Sequence, residues 1–174
     1  MTFEEFTKRC HPLVPQYEGT IIALDPGETT GYAIFVHGLL KEAGQLKTKT
    51  IPVSVPLLQK FFDRIATVYP TTKIIVYENY KVYGWKTEDH SWSNLHTSQL
   101  LGTIQTLSSI RNVPNFTQMA QVAKAFCTDQ KLKEWGYYRK GEKHARDAIR
   151  HGCYYLIHIH PKAPIQPSNQ APIK

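Results

Sequence analysis

The apolar positions of this chain follow two periods. Short unbroken runs, "TIIALD" (20–25) and "KIIVYE" (73–78), have the length of buried strands, and each finishes on an acid. "GYAIFVHG" (31–38) and "LLKEAGQLKT" (39–48) are β-rich and closely spaced, so with the first run they predict an antiparallel meander of three strands. The period then changes. In "SVPLLQKFFDRIATVY" (54–69), Leu58, Phe61, Phe62 and Ile65 recur at helical spacing, with Ser54 as N-cap and Pro70 as stop. A second helix is expected within 90–112, starting near Asn94. A short strand over 115–120, a short helix over 120–127 and a last helix from about Glu142 to His158 complete the pattern. The order βββ-α-β-α-β-α implies an α/β fold, a mixed five-stranded sheet flanked by helices.

This pattern divides the chain into an N-terminal lead-in (1–19), one α/β domain (20–160) and a tail (161–174). The tail holds four prolines and little apolar content, and is expected to be disordered. At 174 residues the chain has the size of one domain with one real core. Three widely spaced cysteines, Cys10, Cys127 and Cys153, fit neither a disulfide framework nor a zinc ribbon and point to a reducing compartment. The N-terminus has acids where a signal peptide needs a basic region, and no run approaches a membrane span, so a cytoplasmic protein is expected. The net charge of +7, from 21 Lys and Arg against 14 acids, suggests a polyanionic partner such as nucleic acid.

The candidate chemistry lies in the acids that end the two buried runs. Asp25 and Glu78 each sit at the C-terminal end of a strand of one predicted sheet, where α/β sheets place ligands. Two adjacent carboxylates repel and raise each other's pKa, so such a pair calls for a cation, and hard oxygen donors suit magnesium or manganese. In "KHARDAIRHG" (143–152), His144 and Asp147 are i and i+3 and share a helix face. The small residues Ala145, Ala148 and Gly152 let that helix pack close to the sheet. After Asp25 the chain turns sharply at Pro26-Gly27, and Gly27 and Gly31 leave room for a backbone or a phosphate to approach. Each feature has a plainer explanation alone: Asp-Pro-Gly is a turn formula, Glu78 could be a surface acid, and His144 with Asp147 a solvated pair. His37, His90, His96 and His151 show no ligand spacing with one another and are assigned no role.

Taken together, these motifs resemble the RuvC-type Holliday junction resolvases of the RNase H-like superfamily. "ALDPGETTGYAIF" is similar to the first motif of that family, "IIVYEN" to the second, "SQLLGTIQTL" to the Leu-Gly helix that follows it, and "HARDAIRHG" to the last motif. The resemblance spans roughly residues 20–158, while 128–141 has no clear counterpart. Where many such resolvases carry Asp as the first ligand of the last motif, this chain has His144.

The resemblance implies a crossover junction endodeoxyribonuclease working by two-metal phosphodiester hydrolysis and leaving 5′ phosphates. Two Mg2+ ions, about 4 Å apart, would be held by Asp25, Glu78, His144 and Asp147, with Mn2+ able to substitute. The implied partner is branched DNA, a four-way junction bound by a homodimer, with no nucleotide cofactor. Tyr80, Lys81, Tyr83, Trp85 and Lys86, which interleave aromatics with cations just after Glu78, would lie at the junction centre. Lys124, Lys131, Lys140, Lys143 and Arg146 are candidate phosphate contacts. Leu100 to Leu107 offers a dimer face or, equally, a core helix. Alternatives of different kinds remain: a flap, branch or RNA-processing nuclease, or a nucleic-acid-binding module without catalysis. A two-lobed sugar kinase or ATPase also has a phosphate-binding hairpin like the first motif, but needs a second comparable domain that 174 residues without a repeat do not hold.

Overall fold

The computed structural model describes residues 1–10, 19–79 and 92–159. After a first helix α1 (Phe3–Cys10) come strands β1 (Thr20–Asp25), β2 (Thr29–Val36) and β3 (Leu39–Lys47), helix α2 (Ile51–Val68) and strand β4 (Thr72–Glu78). Helix α3 (Trp92–Ile110), strand β5 (Asn115–Gln118) and helices α4 (Ala120–Phe126), α5 (Asp129–Glu134) and α6 (Lys143–Tyr154) follow, and α6 runs on into a π-helical turn, Tyr155–Ile159. The five strands form one mixed sheet in the order β3-β2-β1-β4-β5. β1 pairs antiparallel with β2, and β2 with β3, whereas β1–β4 and β4–β5 are parallel. The expected α/β architecture is thus the observed one.

Side-chain alternation along each strand splits the interior into two layers. Ile22, Leu24, Ile34, Ile75 and Tyr77 pack with Leu58, Phe61, Phe62 and Ile65 of α2 and Leu100, Ile104 and Leu107 of α3. Ile21, Ala23, Ala33, Phe35 and Val76 face the other way, against Ala148, Ile149 and Cys153 of α6 and Phe6 of α1. Leu100, Ile104 and Leu107 are therefore core residues, while Gly102, Gln105 and Thr106 make up the exposed side of α3. The Phe6 ring stacks on Trp135, with centroids 4.6 Å apart.

Two local expectations change. α2 starts a turn earlier than Ser54, because Pro52 is tolerated in the first turn, where its missing N–H has no partner to lose. Ser54 is no cap; its hydroxyl donates to the Thr50 carbonyl at 2.7 Å. The stretch 128–141, without an expected element, contains α5, capped by the Thr128 hydroxyl, which accepts from the Lys131 N–H. Residues 160–174, including the tail, lie outside the described residues.

Parity of position is what brings the site together. Asp25 continues the register of Ile21 and Ala23, Glu78 that of Ile74 and Val76, and Gly31 that of Ala33 and Phe35, so all three face α6. α6 crosses this face closely. A Cβ on Gly31 would collide with the backbone carbonyl of His144, and one on Gly152 with the Phe35 ring. Glycine at these two positions is what seats the helix directly on the strands.

Candidate active site

Asp25 closes β1 and begins a sharp turn whose shape is fixed from behind. The buried Thr48 hydroxyl donates to the Gly27 carbonyl at 2.5 Å and lies 2.7 Å from that of Thr30. No close neighbour crowds Gly27, so the close approach expected of the glycines falls at Gly31 alone. Leu24 and Tyr77 are register partners on the parallel strands β1 and β4, which places Asp25 and Glu78 one step further along, side by side at the strand ends. α6 supplies the rest. Its first turn lacks a side-chain cap of its own, and the His144 N–H donates instead to Gln45 Oε1 of β3 at 3.1 Å.

His144 Nδ1 lies 2.8 Å from Asp25 Oδ2. Burial, and the Lys143 and Lys124 charges, lower the imidazole's pKa against the pull of nearby acids, so this contact is a hydrogen bond of a neutral ring. Asp25 is itself buried. Desolvation, reinforced by the charges of Glu78 and Asp147, pushes its carboxyl up to about 8, so at neutral pH it holds its proton and shares it with Glu78. Burial also works against charge on Glu78, but hydrogen bonds from His151 and Asp25 outweigh it and keep this acid below the usual carboxylate range.

Asp147 is buried one turn along α6 and takes its neutralising charge from the protein. Lys124 Nζ of α4 lies 3.3 Å from its Oδ2, and Arg150 Nη1 binds its Oδ1. Arg150 in turn donates through Nε to the Cys127 carbonyl at 2.8 Å and through Nη2 to Asp129 of α5. Helix α5 thus helps to orient Asp147 through Asp129 and Arg150.

His151, given no role above, lies in the middle of the cluster. It is 1% exposed, and its Nε2 is 3.5 Å from Glu78 Oε2. One ligand atom each of Asp25, Glu78 and His151 fall within 4.8 Å of one another. Two hard carboxylate oxygens and a borderline imidazole nitrogen fit a divalent cation, and a proton trapped between two acids marks where positive charge is wanted. The signal for His151 was present in the sequence: it follows Asp147 by four residues and His144 by seven, on the same helix face. Spacing among the histidines alone does not show it.

Of the candidate phosphate contacts, Lys140 and Lys143 are exposed at the approach to α6, and Lys124 is half-exposed beside Asp147. Arg146 is engaged internally: Nη1 donates to the Arg139 carbonyl at 2.7 Å and the guanidinium covers the Tyr138 ring. Lys131 Nζ donates to the Phe126 carbonyl at 2.6 Å. Tyr80, Lys81, Tyr83, Trp85 and Lys86 lie outside the described residues.

The five-stranded sheet with α6 laid across its acidic end is the RNase H-like fold in the form seen in RuvC-type resolvases. The solved structures it resembles include Thermus thermophilus RuvC in complex with a Holliday junction substrate, at a TM-score of 0.64 and 13% identity over 83% of this chain and 96% of that one. T. thermophilus RuvC in a second structure gives a TM-score of 0.58, 13% identity and coverage of 79% and 93%. The yeast mitochondrial Holliday junction resolvase Ydc2 gives 0.54, 12% identity and coverage of 88% and 84%. No protein-family model matches the sequence, and neither does any curated protein.

Proposed function

We propose that this chain is a divalent-metal-dependent, structure-selective DNA endonuclease that resolves four-way junctions. The observation that carries the reading is the pair of strand-end carboxylates, Asp25 and Glu78, set side by side on β1 and β4 with Asp25 buried, so that desolvation first and the Glu78 charge second push the Asp25 carboxyl up to about 8. Such a pair, with no Lys or Arg in contact among the described residues, would take a cation at the sheet edge where this fold presents its ligands. The structural neighbours, which are junction resolvases, support the choice of branched DNA as substrate.

Asp25 and Glu78 would hold the cation, with His144 and Asp147 contributing from α6. A divalent ion held by these residues would supply Lewis acidity for phosphodiester hydrolysis that leaves a 5′ phosphate. The chain's own groups do the rest. Asp25 would release its proton to solvent as the cation binds. Arg150 keeps Asp147 turned toward the cluster. Lys124, Lys140 and Lys143 put positive charge beside the acids, where a phosphodiester backbone must come to be cut. We further propose a homodimer, whose two-fold axis would match paired cuts across a junction.

Incubating the full chain with Mg2+ and end-labelled four-way junction, flap, duplex and RNA hairpin substrates tests this reading. Paired symmetric cuts in the junction and little cutting of duplex are expected. Preferential cutting of flap or RNA would replace the substrate assignment with a flap or RNA-processing nuclease. No cutting of any substrate, with junction binding retained, would leave a binding module.

A further inference from the structure

We propose that His151 is a direct ligand of the cation held by Asp25 and Glu78, so that one histidine belongs to the strand-end ion and His144 stands at its mouth. The inference rests on the metal-binding reading above and adds a residue to it. His144 is half-exposed and already bonded through Nδ1 to Asp25. His151 is enclosed, and its Nε2 lies 3.5 Å from Glu78 Oε2 and within 4.8 Å of a ligand oxygen of Asp25. Donor atoms around one ion with bonds of about 2.1 Å stand roughly 3 Å apart when adjacent and about 4 Å when opposite, and the 3.5 Å between His151 Nε2 and Glu78 Oε2 falls between the two.

Two features prepare His151 for this task. Its turn of α6 is anchored to the sheet, because Gln118 Nε2 of β5 donates to the His151 carbonyl at 2.7 Å. Among the described residues its Nδ1 is buried without a hydrogen-bond partner, and so is Gln118 Oε1. A histidine that binds metal through Nε2 carries its proton on Nδ1 and is steadied by an acceptor for it, and Gln118 brings an unused acceptor on the residue that already holds this turn.

The test uses the full chain with Mn2+ as probe, following binding by the loss of the free-ion electron paramagnetic resonance signal and nitrogen coordination by electron spin echo modulation. Wild type is expected to bind Mn2+ saturably with histidine nitrogen coupling. His144→Ala should keep that coupling, and labelling its histidines with 15N should change the modulation pattern. His151→Gln should lose it and bind Mn2+ about tenfold or more weakly. Bound Mn2+ with no nitrogen coupling in His144→Ala overturns the His151 assignment and leaves the two-carboxylate site standing. That variant keeps His151, so the result does not depend on whether His151→Gln folds. Absence of saturable Mn2+ binding in wild type overturns both readings.

Discussion

On the strand side of the acid cluster, Asp25 and Glu78 are met by histidines, His144 and His151. On the helix side, Asp147 carries a lysine and an arginine, Lys124 and Arg150. The two halves are within electrostatic reach of each other, since the Asp147 charge contributes to raising Asp25. They are nevertheless stabilised differently. The helix acid is neutralised and aimed by permanent cations rooted in α4 and α6, and these are tied to α5. Among the described residues the strand acids have no permanent cation in contact, and burial with the Glu78 charge keeps Asp25 protonated at neutral pH. The difference teaches that the charge left for an outside ion to supply is concentrated at the strand ends, while the helix side is pre-oriented by the chain itself.

Removing a strand acid is expected to have the largest effect. Asp25→Asn should lower cleavage by roughly a hundredfold to a thousandfold, the cost of losing several kcal/mol of metal-derived stabilisation, while junction affinity in a gel-shift assay stays within a few-fold. Cleavage near the wild-type rate would remove the strand side from the chemistry. Next is the geometry that joins the halves. Gly31→Ala places a methyl against the His144 carbonyl and should destabilise the protein by roughly 1–3 kcal/mol in a denaturant titration, as α6 is forced off the sheet. An unchanged midpoint would show that the close contact of α6 with β2 is not needed.

The pH dependence of stability sharpens the comparison further. Folding raises the Asp25 carboxyl from its ordinary 3.8 to about 8, so its neutral form stabilises the native state. Without added metal, that contribution is full below about pH 4 and drains away as the pH climbs through about 8. Thermal unfolding in chelator should therefore show a midpoint several degrees lower at pH 8 than at pH 5, and Asp25→Asn should flatten this slope. A midpoint that rises across that interval in wild type contradicts the shared-proton account.

The helix side should respond more gently. Arg150→Met leaves Asp147 with one cation, frees the Cys127 carbonyl and leaves Asp129 to Arg146 alone, so Mn2+ affinity and cleavage should each fall about tenfold, with Arg150→Lys partly restoring both. Equal losses in Met and Lys variants would reduce Arg150 to packing. Lys124→Met should have the smallest effect. Taking away a half-exposed ammonium should raise Mn2+ affinity a few-fold at low salt and lower the salt slope of junction binding by about one.

Much of this arrangement could be read from the sequence because it follows period-two logic. Apolar runs ending in Asp25 and Glu78 set both acids at strand ends, and Gly31, Ala148 and Gly152 announced a helix seated close to the sheet. Less legible was everything that depends on how two elements meet. Arg150 looks like one more surface cation until α5 brings Asp129 beside it, and Gln45 is an ordinary strand residue until α6 needs an acceptor at its first turn. His151 has its partners on strands more than thirty residues away, at Glu78 and Gln118. Local spacing puts His151 on the helix face of His144 and Asp147 but does not name these strand partners, which are fixed by sheet order and by how α6 crosses it.

The most direct test of the central claim is anomalous diffraction from crystals of the full chain grown with Mn2+ at about pH 8. The account predicts the strongest anomalous peak between the Asp25 and Glu78 carboxylates, with Lys124 and Arg150 still on Asp147. A strongest peak on Asp147 with the strand-end pair still sharing its proton, or no peak at the cluster, would contradict it.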